Sequence, residues 1–228
     1  MTTLIAYKMH PAVTKTAFVD LMEGHREADR IVQGTYWENG RGCAVGCGLH
    51  SVRALTGLAL SHSDHAALAA QVGVPEVLER LQDRIFEGLP RELAREWPLR
   101  FAGAIPDGAD LAAVWPKFAV ALLRNLPPTP GYPDVTAAVA RVATGWETGW
   151  ADDDPRAAWS AAWSAASAAW SAARSAASAA ESAAWSAASA AESAARSAAS
   201  AAESAARSAA YVWMAATLER LLSEAPAP

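Results

Sequence analysis

Apolar positions in the first 150 residues recur at steps of three and four, the spacing that gathers them on one face of an α-helix. Pro11–Val32 carries Phe18, Leu21 and Met22 at that spacing and is expected to stop at Gln33-Gly34. A second helix is predicted over Gly42–Leu55 and closed by Gly57; a third is capped by Ser63 and runs to Val72. Pro75 opens a fourth through Phe86, with Leu78, Leu81 and Ile85 on one face. Further helices are predicted over Arg91–Ala104, Leu111–Leu126 and Asp134–Trp146, divided by turns rich in Pro and Gly. Only Thr3–Tyr7 and the residues around Thr35–Trp37 suit strands, which leaves room for a minor short hairpin near the N-terminus. The predicted class is all-α.

Beyond Pro155 the pattern changes. Arg156–Ala210 holds 30 Ala and 14 Ser in 55 residues, and the bulky or charged positions alternate at spacings of 4 and 7. The unit is therefore eleven residues, X-S-A-A-X-S-A-A-S-A-A, beginning at 159, 170, 181, 192 and 203. Eleven residues match three turns of α-helix, so the pattern keeps one face along the segment. Asp152-Asp153-Asp154-Pro155 is a strong start signal, with carboxylates at the positive helix end and Pro at the first helical position. The expected organisation is a globular helical domain over residues 1–151 and one very long α-helix over residues 152–225.

The X stripe carries Trp159, Trp163 and Trp170, then Trp185 among Glu and Arg, and ends in an apolar run that includes Trp213, Leu218 and Leu222. On a straight helix that run lies about 80 Å from Trp159. It needs either a partner or a fold back, and an antiparallel homodimer covers both ends at once. Trp159, Trp163, Trp170, Trp185, Trp213 and Leu222 are thus the candidate interaction residues.

Charge and composition narrow the function classes. The formal net charge is −5 and the 19 Lys and Arg are scattered, so no nucleic acid partner is expected. No purely apolar run reaches 18 residues, and the first residues lack the apolar core of a secretion signal. The expectation is a cytoplasmic protein with no membrane partner and no organic cofactor.

The chemically unusual stretch is Gly40-Arg41-Gly42-Cys43-Ala44-Val45-Gly46-Cys47-Gly48-Leu49-His50. Glycines clustered where a helix begins let a ligand or another backbone come close. A thiol in the first helical turn is expected to have a lowered pKa, which makes Cys43 a candidate nucleophile. His65 and His25 are the foremost bases, with His50 and His62 behind them, and Asp29 or Asp64 is the candidate orienting group. A rival set for a metal is Cys43, Cys47, His50 and His65, although C-x3-C-x2-H is not a common zinc spacing. The plainest alternative packs both thiols between helices beside small glycines. The charged run His25–Arg30 reads as a solvated face, Trp97, Trp115 and Trp146 as core, and Trp37 as a binding candidate.

The motifs Val32-Gln33-Gly34-Thr35-Tyr36, Gly42-Cys43-Ala44-Val45-Gly46-Cys47, Ser63-Asp64-His65 and Ile85-Phe86-Glu87-Gly88-Leu89-Pro90 resemble a group of uncharacterised bacterial and phage proteins. Those chains also carry an Ala/Ser-rich helical tail; the resemblance implies a domain layout and a prokaryotic or viral origin, and points to no particular activity. The tail alone is similar to alanine-rich antifreeze helices of fish, but Trp and Arg interrupt the flat face that ice binding needs. The leading expectation is a non-enzymatic protein that presents a long Ala/Ser helix for self-association or partner binding. The alternatives are a thiol-dependent hydrolase or transferase using Cys43, and a metal-binding protein.

Overall fold

A computed structural model of the chain describes residues 4–126, 133–148 and 189–227. Among them the architecture is all-α: α1 Lys15–Glu27, α2 Ala44–Thr56, α3 His65–Val72, α4 Glu76–Gly88, α5 Arg91–Ala104, α6 Val114–Asn125, α7 Pro133–Thr148 and α8 Ser189–Ser223. The chain divides into two compact units, Met1–Trp115 together with Arg207–Pro228, and Pro116–Ala206. This division does not follow the compositional boundary at 151/152. Residues 149–188, with Trp159, Trp163, Trp170 and Trp185, lie outside the described residues.

In the first unit α2 is the central helix and packs against α1, α3 and α4, while α5 closes on α1 and α4. Its position follows from its composition: the small and apolar stretch Ala44–Leu49, with Ser51 and Val52, is buried, while Ala54 near its end is exposed. Local chemistry sets the ends. The Thr14 and Asp64 side chains accept hydrogen bonds from the N–H groups of Ala17 and Ala67, at 3.2 and 2.9 Å, capping α1 and α3. Gly57 and Gly73 close α2 and α3 in the left-handed region, where a side chain would be strained. Trp97 is fully buried, and its indole N–H donates to the Gln82 carbonyl at 3.0 Å.

Several sequence expectations change here, and the cap of α3 is Asp64 rather than Ser63. α1 ends at Glu27 rather than Val32, because Asp29 turns the backbone to φ 53° and residues 28–42 close into a loop of their own. That loop holds two isolated bridges, Ile31 with Gly42 and Glu38 with Arg41, and no strand. Leu4–Tyr7 forms no strand either; Ala6 exchanges backbone hydrogen bonds with Gly108 and Ala109.

A further change concerns the C-terminal apolar run. Residues 207–228 belong to the first unit. Leu218 and Leu222 are fully inaccessible to solvent, Tyr211 lies against Gly88 at the end of α4, and Arg100 on α5 pairs with Glu219. The Asp110 N–H donates to the Pro226 carbonyl at 3.0 Å. Leu222 is therefore covered by its own chain and is not available to a partner, while Trp213 is half-buried. The leucines of the apolar end that motivated an antiparallel dimer are thus covered within the first unit, while Val212 stays exposed.

In the second unit Arg124 of α6 reaches across to α7, where it pairs with Glu147 at 2.7 Å and donates to the Thr144 hydroxyl at 3.2 Å.

Candidate metal centre

Three helices and one loop of the first unit converge at the N-terminus of α2. Cys43 is the N-cap: its Sγ accepts the Gly46 N–H at 3.5 Å, and its own N–H donates to the Thr35 carbonyl at 2.7 Å. The glycines around it have a structural cause. A β-carbon on Gly42 or Gly46 would collide with the Tyr36 carbonyl oxygen, so it is the 35–37 backbone that comes close.

Asp83 and Glu87, one helical turn apart on α4, complete the cluster. The Cys43 Sγ and one oxygen from each carboxylate lie within 4.8 Å of one another. His65, the first residue of α3, is buried and reaches Asp83 Oδ2 through Nε2 at 3.3 Å, while its Nδ1 faces the Ser63 carbonyl at 3.2 Å. Asp83 Oδ1 is buried with no hydrogen-bond partner among the described residues. The Gly34 N–H donates to both Glu87 oxygens, at 3.2 and 3.0 Å. Tyr36, 41% exposed, sets its ring edge against His65 at 5.9 Å.

The electrostatics reverse what the sequence predicts for the thiol. Burial, and then the neighbouring Asp83 carboxylate, push the Cys43 pKa well above the ordinary thiol range; the hydrogen bond from Gly46 opposes them and is outweighed. Cys43 is only 2% exposed. A nucleophile needs both a thiolate and access, and burial works against both at Cys43. Burial also raises the Glu87 carboxyl, with the Asp83 charge adding to it and the Gly34 hydrogen bond opposing.

The order of groups argues against a nucleophilic triad as well. In such a triad the imidazole stands between nucleophile and carboxylate; here Asp83 stands between Cys43 and His65. His25 is not brought to Cys43, Asp29 spends its carboxylate on Arg41 and Arg95, and Asp64 caps α3.

No known protein family, curated protein or solved structure matches this chain. Its chemistry has to be read from the cluster alone.

The metal set expected from sequence is divided by the fold. Cys43 and His65 meet at Asp83, but the Cys47 thiol faces the Gly42 and Arg30 carbonyls at 3.4 and 3.9 Å. His50 stacks on Trp37 with ring centres 4.1 Å apart. Trp37 is in turn near-parallel to His62 at 5.6 Å and edge-on to His25 at 5.4 Å. His25 is 4% exposed with both ring nitrogens unpartnered, so it departs from the solvated face that the run from His25 suggests, while Glu27, Asp29 and Arg30 are exposed as expected. Asp83 and Glu87 were missed because an i,i+4 acidic pair on an amphipathic helix looks like ordinary solvated surface. Only the Cys43 partnership sets it apart, and that contact crosses 40 residues of sequence.

Proposed function

We propose that the first unit binds a divalent transition metal, with zinc the best fit, through Cys43, Asp83 and Glu87. The observation that carries this reading is the convergence of a thiol and two carboxyl groups with Asp83 Oδ1 buried and unpartnered. Three groups that each become anionic repel one another, and a cation between them turns that repulsion into attraction. On a tetrahedral ion with bonds of about 2.0–2.3 Å the ligand atoms stand about 3.6 Å apart, so small side-chain rotations suffice. A thiolate ligand favours zinc over magnesium or calcium, which take oxygen.

The surrounding hydrogen bonds suit the same role. His65 holds one Asp83 oxygen and leaves the other for the metal, and Gly34 orients Glu87, the outer-shell support that ligating carboxylates use. Three protein ligands leave a fourth position for water or a substrate. Two buried free thiols fit a reducing, cytoplasmic setting.

Full-length protein stripped with chelator and titrated with zinc is expected to bind one equivalent. Cobalt is expected to give a thiolate-to-metal charge-transfer band that Cys43→Ser abolishes and Cys47→Ser keeps. Asp83→Asn is expected to weaken zinc by about 10–100-fold or more. Absence of stoichiometric binding, or unchanged affinity in Cys43→Ser, would overturn the reading.

A second reading concerns the repeat. Residues 200–207 of α8 are exposed at every position around the helix, which supports a segment presented to other molecules, itself in antiparallel pairing or another protein. With Leu222 covered internally, such pairing uses the repeat stretch rather than the C-terminal leucines. Light scattering that gives a monomer at every concentration would remove self-association.

A further inference from the structure

A cleft of about 190 Å³ lies between the loop after α1 and the first turns of α5. Its floor is Ile31, Phe86 and Ala94, all buried, and its polar lining is Asp29, Gln33, Arg91 and Arg95. At about 30 Å³ per water, such a volume takes about six waters or one small organic ion.

The charged groups are arranged to receive a carboxylate. Asp29 already serves as one: its Oδ1 pairs with Arg95 at 2.8 Å and its Oδ2 with Arg41 at 2.9 Å. The Arg41 Nε–H also donates to the Asp29 carbonyl at 3.0 Å and fixes that turn. Arg91 precedes Arg95 by one turn of α5, is exposed, and makes no ion pair among the described residues. Two guanidinium groups against one carboxylate give the lining a net charge of +1, in a chain whose net charge is −5. A locally positive recess on an acidic molecule concentrates anions. The planar guanidinium is the side chain best matched to a carboxylate, and an apolar floor beneath a few polar groups is the usual make-up of a small-molecule site.

We infer that this cleft binds a small organic carboxylate, its acid group on Arg91 and Arg95 and its apolar body on Ile31, Phe86 and Ala94. The site goes beyond the metal reading and does not depend on it, since none of the proposed metal ligands lines it.

Benzoate is the probe, titrated into metal-free full-length protein and followed by backbone amide shifts. Saturable binding is expected, with the shifts confined to residues 29–33, 86 and 91–95. Benzyl alcohol, similar in shape but uncharged, is expected to bind at least about tenfold more weakly. Arg91→Ala is expected to lose about tenfold or more, Arg91→Lys to recover part of it, and Arg84→Ala, an exposed arginine outside the cleft, to bind as the wild type does. The inference is overturned if benzoate does not saturate, if its shifts lie elsewhere, or if Arg91→Ala or benzyl alcohol matches wild-type benzoate binding. Because no metal is present, failure here leaves the zinc titration as a separate question.

Discussion

Gly46 has the Tyr36 carbonyl oxygen where a β-carbon would go, whereas Gly24, inside α1, has nothing within 4 Å of that position. The same substitution therefore has opposite signs at the two sites. Gly46→Ala is expected to destabilise the fold by about 1–3 kcal/mol, because a backbone has to move. Gly24→Ala is expected to stabilise it by about 0.5–1 kcal/mol through helix propensity alone. Urea unfolding midpoints of the two variants check both. The glycine cluster around Cys43 was legible in the sequence as a place of close approach. That the approaching group is the Tyr36 backbone was not, because it depends on how residues 28–42 fold over α2. The thiol departs from expectation for a related reason: a helix N-terminus shows in sequence, but the burial that opposes it does not.

Among the helices, α5 matches its predicted limits at Arg91 and Ala104, since proline and the apolar period fix both ends locally. α1 falls short because the left-handed turn at Asp29 is made where the charge pattern still suits a helix. The end of α8 is the informative case. Its leucines plainly needed cover, but the contacts supplying it join positions as far apart as Arg100 and Glu219, which no local pattern encodes. Leu218→Ala and Leu222→Ala are each expected to cost about 2–5 kcal/mol in denaturant unfolding, the range for a fully buried leucine. Arg100→Ala, which breaks a half-exposed ion pair on the same surface, is expected to cost at most about 1 kcal/mol. A small effect from both leucine changes would mean the helix end is not part of the unit.

At the scale of the whole molecule, two buried ionisable groups set opposite responses to pH. Burial, with His50 and Arg30 adding to it, pushes the His25 pKa down to about 4. The unfolded chain then binds the extra proton, and stability falls as pH drops from 6.5 towards 4. His50 and His62 are lowered as well and act in the same direction. Glu79 is the reverse: burial raises its carboxyl to about 8, so its contribution is complete below pH 4.5 and is lost as pH climbs to 8. From pH 6.5 to 8 only Glu79 of the two titrates differentially, at a cost of about 2 kcal/mol. Unfolding free energy measured across pH is expected to peak on the mildly acidic side of neutrality. Glu79→Gln should flatten the alkaline limb, and His25→Phe should soften the acidic one. A wild-type curve level from pH 6.5 to 8 would contradict the Glu79 assignment.

The return of residues 207–222 to the surface of α4 and α5 also bears on how the molecule is made. During synthesis, the early helices have to wait, with an apolar groove open, while the intervening residues are translated and until the closing leucines leave the ribosome. Lengthening the alanine-rich stretch therefore prolongs the interval in which a nascent chain is exposed to chaperones and to its neighbours.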